Sequence, residues 1–206
     1  MSARGHSAED WVPVYEEPLH RVQWQNEYAL VYTVDIPCGT DTLWHRHCED
    51  TVYVAINDVA VAETLPGQAA VVRQSPCGAA VSRAHRAEPL VHRIRNVGRD
   101  HVRFFAAEAR ARPPGAERAP LSAAGHALEW SSARFRVYRL VVDAALEVDY
   151  GFHGLVVALA PLTLAITAAD GATGSLELAR GRWHWLTPPL RCRHAPGARG
   201  VVIEWL

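Results

Sequence analysis

Short apolar runs separated by turn residues dominate this chain, and they point to β-structure. Residues 28–37 (YALVYTVDIP), 51–65 (TVYVAINDVAVAETL), 69–75 (AAVVRQS), 89–97 (PLVHRIRNV) and 101–109 (HVRFFAAEA) are apolar or alternating. Asp58, Pro66-Gly67, Pro76-Cys77-Gly78 and Gly98-Arg99-Asp100 punctuate them. No window carries an apolar stripe at helical spacing with capping residues at its ends. Short strands at close intervals predict an all-β sandwich or barrel.

The pattern lapses in "ARARPPGAERAPLSAAG", residues 109–125, where Pro, Gly and charge replace it. It then resumes over 134–143, 154–171, 174–189 and 200–206. We read a first domain over 1–110, a Pro-rich linker over 111–121 and a second domain over 122–206. The halves match in order as well as in kind: "LVYTVDIPCGT" lies on "RVYRLVVDAAL", "TVYVAINDVAVAETLPG" on "LVVALAPLTLAITAADG", and "PLVHRIRNVGRDHVRFF" on "PLRCRHAPGARGVVIEW". A duplicated β-barrel is the simplest reading.

Composition mainly excludes. The 206 residues are 49% hydrophobic and 21% charged with a net charge of −1, which rules out a disordered chain and offers no pull on nucleic acid or an anionic membrane. The most apolar stretch, residues 154–169, is too short to span a bilayer and is broken by Pro161. The opening residues lack the apolar core of a signal peptide, and the four cysteines form no CxxC pair, so a reducing, cytoplasmic setting is expected.

The chemistry is concentrated in histidines. "WHRHCED" puts His45 and His47 two apart, hence on one face of a strand. Alone, such a pair describes a polar strand face as well as it describes a metal clamp. "HRIRN" adds His92 and Asn96 on a later strand. Gly39-x5-His45-x-His47 followed by His92-x3-Asn96 resembles the two motifs of the cupin superfamily. The resemblance covers residues 25–110 in its motifs, with the second half as a degenerate repeat.

That resemblance implies two small jelly-roll barrels, with His45, His47 and His92 as the ligands of one divalent metal ion in the first. Two departures are visible. The Glu that follows the first motif falls on Thr51 or Val52, or on Asp50 after a one-residue shortening, and "EPLVH" replaces the Pro-x-Gly before the later His. Asp50 is thus a candidate fourth ligand, or an acceptor for a ligand's free N–H, and Glu49 ranks below it. In the second half the paired histidines fall on Val148/Tyr150 or Tyr150/Phe152, and His92 on Arg191, so no ligand set is expected there.

Other residues receive structural readings. His85 is expected in a solvated loop, and His153, His184 and His194 in surface or hydrogen-bonded places. Trp44 and Cys48 are expected to face away from the clamp, Cys48 as a small buried residue. Arg93 and Arg95 should point outward, Asn96 should hold a turn, and "RWHW" (183–186) should pack the second barrel.

A three-histidine centre in an apolar barrel leaves coordination positions open. Fe(II) is favoured, with Zn, Ni, Mn or Cu as alternatives. The resemblance to three-histidine thiol and diketone dioxygenases implies a metal-dependent dioxygenase of a small molecule. A non-redox lyase or isomerase on the same centre, and a non-catalytic small-molecule-binding cupin, stay open. Neither nucleic acid nor membrane is an expected partner, and exposed barrel edges suggest a homodimer.

Overall fold

Alternation with period two dictates strands throughout the computed structural model, which describes residues 10–206. The chain divides after Arg110 into two compact units. The first runs β1 (Val12–Pro13), a 3-10 turn (Val14–Glu16), β2 (His20–Gln25), β3 (Ala29–Ile36), β4 (His45–His47), β5 (Thr51–Ala55), β6 (Val59–Thr64), β7 (Val71–Ser75), β8 (Ala80–Arg83), β9 (Leu90–Asn96) and β10 (Val102–Ala109). These form two sheets, ordered β1-β4-β9-β6-β7 and β2-β3-β10-β5-β8. Leu30, Tyr32, Val34, Ile36, Val61 and Ala106 are among the buried residues between them.

The second unit runs β11 (His126–Ser131), β12 (Phe135–Val141), β13 (Leu146–Tyr150), β14 (Gly154–Ala158), β15 (Leu162–Thr167), β16 (Thr173–Leu178), β17 (Trp183–Leu186), β18 (Leu190–His194) and β19 (Arg199–Trp205). Its sheets, β11-β12-β19-β14-β17 and β13-β18-β15-β16, repeat the first unit's order without a counterpart of β1. β2 and β11 both begin with histidine, carry Trp four residues later, and slip register between Val22 and Trp24 or between Leu128 and Trp130. The same bulge at the same place in both units marks a duplication. Among the described residues there is no α-helix, and no helix is long and apolar enough to cross a membrane.

A tight turn sets the strand that carries His45 and His47. Gly39 adopts φ 73°, a left-handed conformation that L side chains disfavour. Its N–H donates to Asn96 O at 3.1 Å, the Asn96 N–H donates to Thr40 O at 3.0 Å, and the Thr42 N–H donates to Ile94 O at 2.8 Å. The chain thus arrives at β4 already in register with β9. Asn96 holds the turn at the other end of β9, accepting from the Gly98 N–H and donating to Ile36 O and Asp100 O.

A buried carboxyl interrupts the apolar pattern of β10. Glu108 on β10 lies between Leu30 and Thr51, is 4% exposed and forms no ion pair among the described residues. Burial, reinforced by the charge of Glu49, pushes its carboxyl up to about 7. A carboxyl held above its unfolded value keeps its proton in the native state while the unfolded chain has lost it. Stability therefore falls as pH rises from the ordinary carboxyl range toward 7 and is flat above that. The expected result is that Glu108→Gln gains on the order of 1–3 kcal/mol over wild type at pH 8 and nothing at pH 4. Urea midpoints at the two pH values check this, and an equal difference at both would refute it.

Candidate metal centre

Strand geometry alone brings three imidazoles together. On β4, His45 and His47 are inward and fully buried, while Arg46 between them turns out to lie over the Trp11 ring. β4 pairs antiparallel with β9 so that His45 lies opposite His92. The His92 Nε2 is 3.0 Å from the His45 Nε2 and 3.1 Å from the His47 Nε2. A fourth ring joins from the opposite sheet: ring nitrogens of His20, His45 and His47 all lie within 4.8 Å of one another. The His92 nitrogen is the closer neighbour, so three rings form the tight set and His20 stands beside it.

The far side of each ring fixes what the near side can be. His45 Nδ1 is 2.9 Å from Leu43 O, and His92 Nδ1 is 2.9 Å from Glu63 Oε1. Both partners only accept, so both Nδ1 atoms carry the proton. Burial, first of all, holds His45 and His47 well below the usual histidine range and lowers His92 as well, even though Glu63 pulls His92 the other way. Neutral rings protonated at Nδ1 present bare lone pairs at Nε2. Two such lone pairs 3.0 Å apart cannot hydrogen-bond to each other, and a shared cation is what satisfies both. At ~2.1 Å from an ion, nitrogens with this separation subtend about 90°, as neighbouring ligands do. The cluster therefore fits one divalent metal ion.

Partners around the cluster orient it. Glu63 on β6 accepts from His92 Nδ1 and from Arg73 Nε (2.6 Å), and the His92 hydrogen bond foremost depresses its carboxyl to about 2. Tyr53 Oη lies 3.1 Å from His47 Nδ1 and 3.2 Å from His85 Nε2. Buried Glu17 takes the Leu19 N–H, the Leu43 N–H and His20 Nδ1. The rings open on a cavity of about 430 Å³, walled largely by valine, isoleucine, leucine and phenylalanine.

The outer residues differ in part from expectation. Asp50 does not line the cavity; its carboxylate accepts the Arg86 N–H at 3.0 Å, because the β4–β5 loop carries it outward. Glu49 likewise pairs with the Arg86 guanidinium. His85 is not solvated: it is 3% exposed and stacks on His47, and burial pushes it down to about 4. Cys48 is exposed rather than buried. Arg95 pairs outward with Asp41, and Arg93 lies over Trp44. The motif reading missed His20, Tyr53 and Glu63. For His20 a signal existed, since "HRVQW" and "HALEW" open the two repeats alike.

Register shows what the second unit did with the same positions. Tyr150 lies opposite Leu190 on β13 and β18, where His45 faces His92 on β4 and β9. The paired histidines thus correspond to Tyr150 and Phe152, and His92 corresponds to Leu190. Arg191, one residue on, points outward to Asp149 at 2.7 Å. Ile166 stands where Glu63 does. The His20 counterpart, His126, remains and lies 2.6 Å from Tyr150 Oη, which also lies 2.9 Å from His194 Nε2. Aromatic and aliphatic side chains fill this interior in place of the clamp, while the tryptophans of "RWHW" contribute packing, Trp185 against Trp205.

Solved structures share this architecture. AerE from Microcystis aeruginosa aligns over 92% of this chain and 98% of its own with a TM-score of 0.60 and 9% identity. Oxalate decarboxylase from Bacillus subtilis aligns over 87% of this chain and 69% of its own, with a TM-score of 0.57 and 10% identity. A cupin 2 conserved barrel domain protein from Leptotrichia buccalis aligns over 91% of this chain and 88% of its own, at 0.53 and 9%. No protein-family profile matches the chain, and no curated protein matches it significantly. The chain shares the fold of these structures, repeated in its two units. A buried histidine cluster suited to a divalent ion lies in the first of them.

Metal affinity should divide the neighbouring residues sharply. Replacing His45, His47 or His92 by Ala is expected to weaken Co(II) binding by more than about 100-fold, and Glu63→Gln or His20→Ala by roughly 10-fold. Asp50→Asn should leave it unchanged. Competition with a chromophoric chelator measures all six, and a large loss in Asp50→Asn would contradict the geometry.

Proposed function

We propose that the protein is a metal-dependent enzyme acting on a small molecule, most simply a dioxygenase with Fe(II) held by His45, His47 and His92. The observation that carries this reading is the set of three buried Nε2 atoms, with those of His45 and His47 3.0 and 3.1 Å from that of His92, each ring tied from behind by a partner outside the cluster. All close donors are imidazole nitrogens, a set that suits Fe, Ni, Cu and Zn better than oxygen-preferring Mn. Ferrous iron, when bound, supplies open coordination positions and the electrons for dioxygen chemistry.

The chain's own residues do the rest. Glu63 and Tyr53 hold the His92 and His47 rings in orientation from Nδ1. Val34, Ile36, Val61 and Phe104 wall the cavity and keep bulk water from the reacting atoms. Tyr53, between His47 and His85, holds a hydroxyl proton at the cavity wall.

A second reading, a non-redox lyase or isomerase on the same centre, draws support from the shared fold with oxalate decarboxylase, one of whose reported structures concerns its Mn(II) centres. Metal content of untagged protein by elemental mass spectrometry, beside His47→Ala, separates the two. About one equivalent of iron, lost in the variant and accompanied by oxygen uptake on thiol or diketone substrates, is the expected result. One equivalent of another metal without oxygen uptake would favour the second reading. Failure of any divalent ion to bind after reconstitution would overturn both.

A further inference from the structure

The cavity contains one charge that no carboxylate among the described residues answers. Val81, Arg83 and His85 follow one another at every second residue along β8 and its continuation, and all three line the cavity. Arg83 is exposed, so its guanidinium stands at the mouth. Among the described residues it forms no ion pair. Its charge is felt within, disfavouring the charged forms of His92 and His85. The other arginine of the lining, Arg73, is already engaged by Glu63 at 2.6 Å. Among the described residues Glu63 is also the sole carboxylate lining the cavity, and it is shared between Arg73 and His92.

The filled barrel supplies a contrast at the same positions. Arg83 pairs with Thr51, whereas Leu186 pairs with Gly154 in the equivalent place; Arg73 pairs with Val61, whereas Leu176 pairs with Leu164. Leu186 is fully buried. In the second unit, where Leu186 belongs to the buried apolar cluster and Leu176 packs against it, both arginines are leucines. Charge at these positions accompanies the open cavity, and of the two arginines only Arg73 has a partner.

We propose that Arg83 receives the carboxylate of the substrate, so that the cavity takes a small organic anion with an apolar body, charged end at the mouth and opposite end at the histidine nitrogens. A guanidinium grips a carboxylate through two parallel hydrogen bonds, stronger than neutral ones. Imidazole ligands add no negative charge against a divalent ion, so an entering anion also relieves an uncompensated positive field. Valine, isoleucine and phenylalanine walls suit the body between. This inference rests on the metal-centre reading for the orientation of the ligand and on Arg83 alone for its charge.

The test uses the full chain loaded with Co(II), its occupancy followed by the visible spectrum. The probes are 3-(4-fluorophenyl)propanoate and the matching amide, titrated by fluorine NMR. Wild type should bind the acid at least about tenfold more tightly than the amide. The ring fluorine should be broadened by the ion, since the carboxylate points away from it. Arg83→Gln should abolish the preference, and Arg83→Lys should keep part of it, charge without the planar fork. An unchanged preference in Arg83→Gln, or no preference in wild type, would overturn the proposal. Should Co(II) fail to bind, the metal-centre reading falls, while the acid–amide comparison on the metal-free protein still decides the role of Arg83.

Discussion

The pairing of His45 with His92 across β4 and β9 is the constraint on which the first unit's interior depends. β4 is only three residues long, and its register comes from the Gly39 turn and the Thr40–Asn96 and Thr42–Ile94 hydrogen bonds that precede it. A slip of one residue would turn both histidines outward and Arg46 into the barrel. With the register held, the Nε2 atoms of three rings converge in a buried place, and the lone pairs of His45 and His92 face each other there. Everything else in the site follows: the anchors behind each ring, the apolar walls and the open mouth.

The two units show that such an interior is held or abandoned as a set. Where the first unit has His45, His47, His92 and Glu63, the second has Tyr150, Phe152, Leu190 and Ile166. A half-converted network would leave a buried carboxylate or imidazole unpaired, which costs more than either end state. Glu63 without His92 and Arg73, or His92 without Glu63, would be such an intermediate. Retention of His126 beside Tyr150 and His194 fits the same rule, because that imidazole found new partners.

Much of this was visible in the residues. Alternating runs and their punctuation announced strands, the repeated order announced two like units, and the resemblance to the two cupin motifs singled out His45, His47 and His92, which the fold brings together. The outer shell was less visible. Asp50 looked the better carboxylate because the Glu of the resembled motif falls on it after a one-residue shortening, yet the loop that carries it turns away. Glu63, on a strand whose partner β9 is far along the chain, is the carboxylate that reaches His92. His85 read as a loop residue, and folding of the β8–β9 connection buried it against His47.

The sequence by itself determined the period-two pattern, the duplication and which side of β4 holds two histidines, because these depend on the order of neighbouring residues along one strand. Only the tertiary structure decided which residues from other strands complete the site. His20 comes from the opposite sheet, Glu63 and Arg73 meet across a hairpin, and Arg83 reaches the mouth from an edge strand. Which Nε2 lone pairs face one another was decided there too, since register between distant strands is set by long-range hydrogen bonds and no local spacing encodes it.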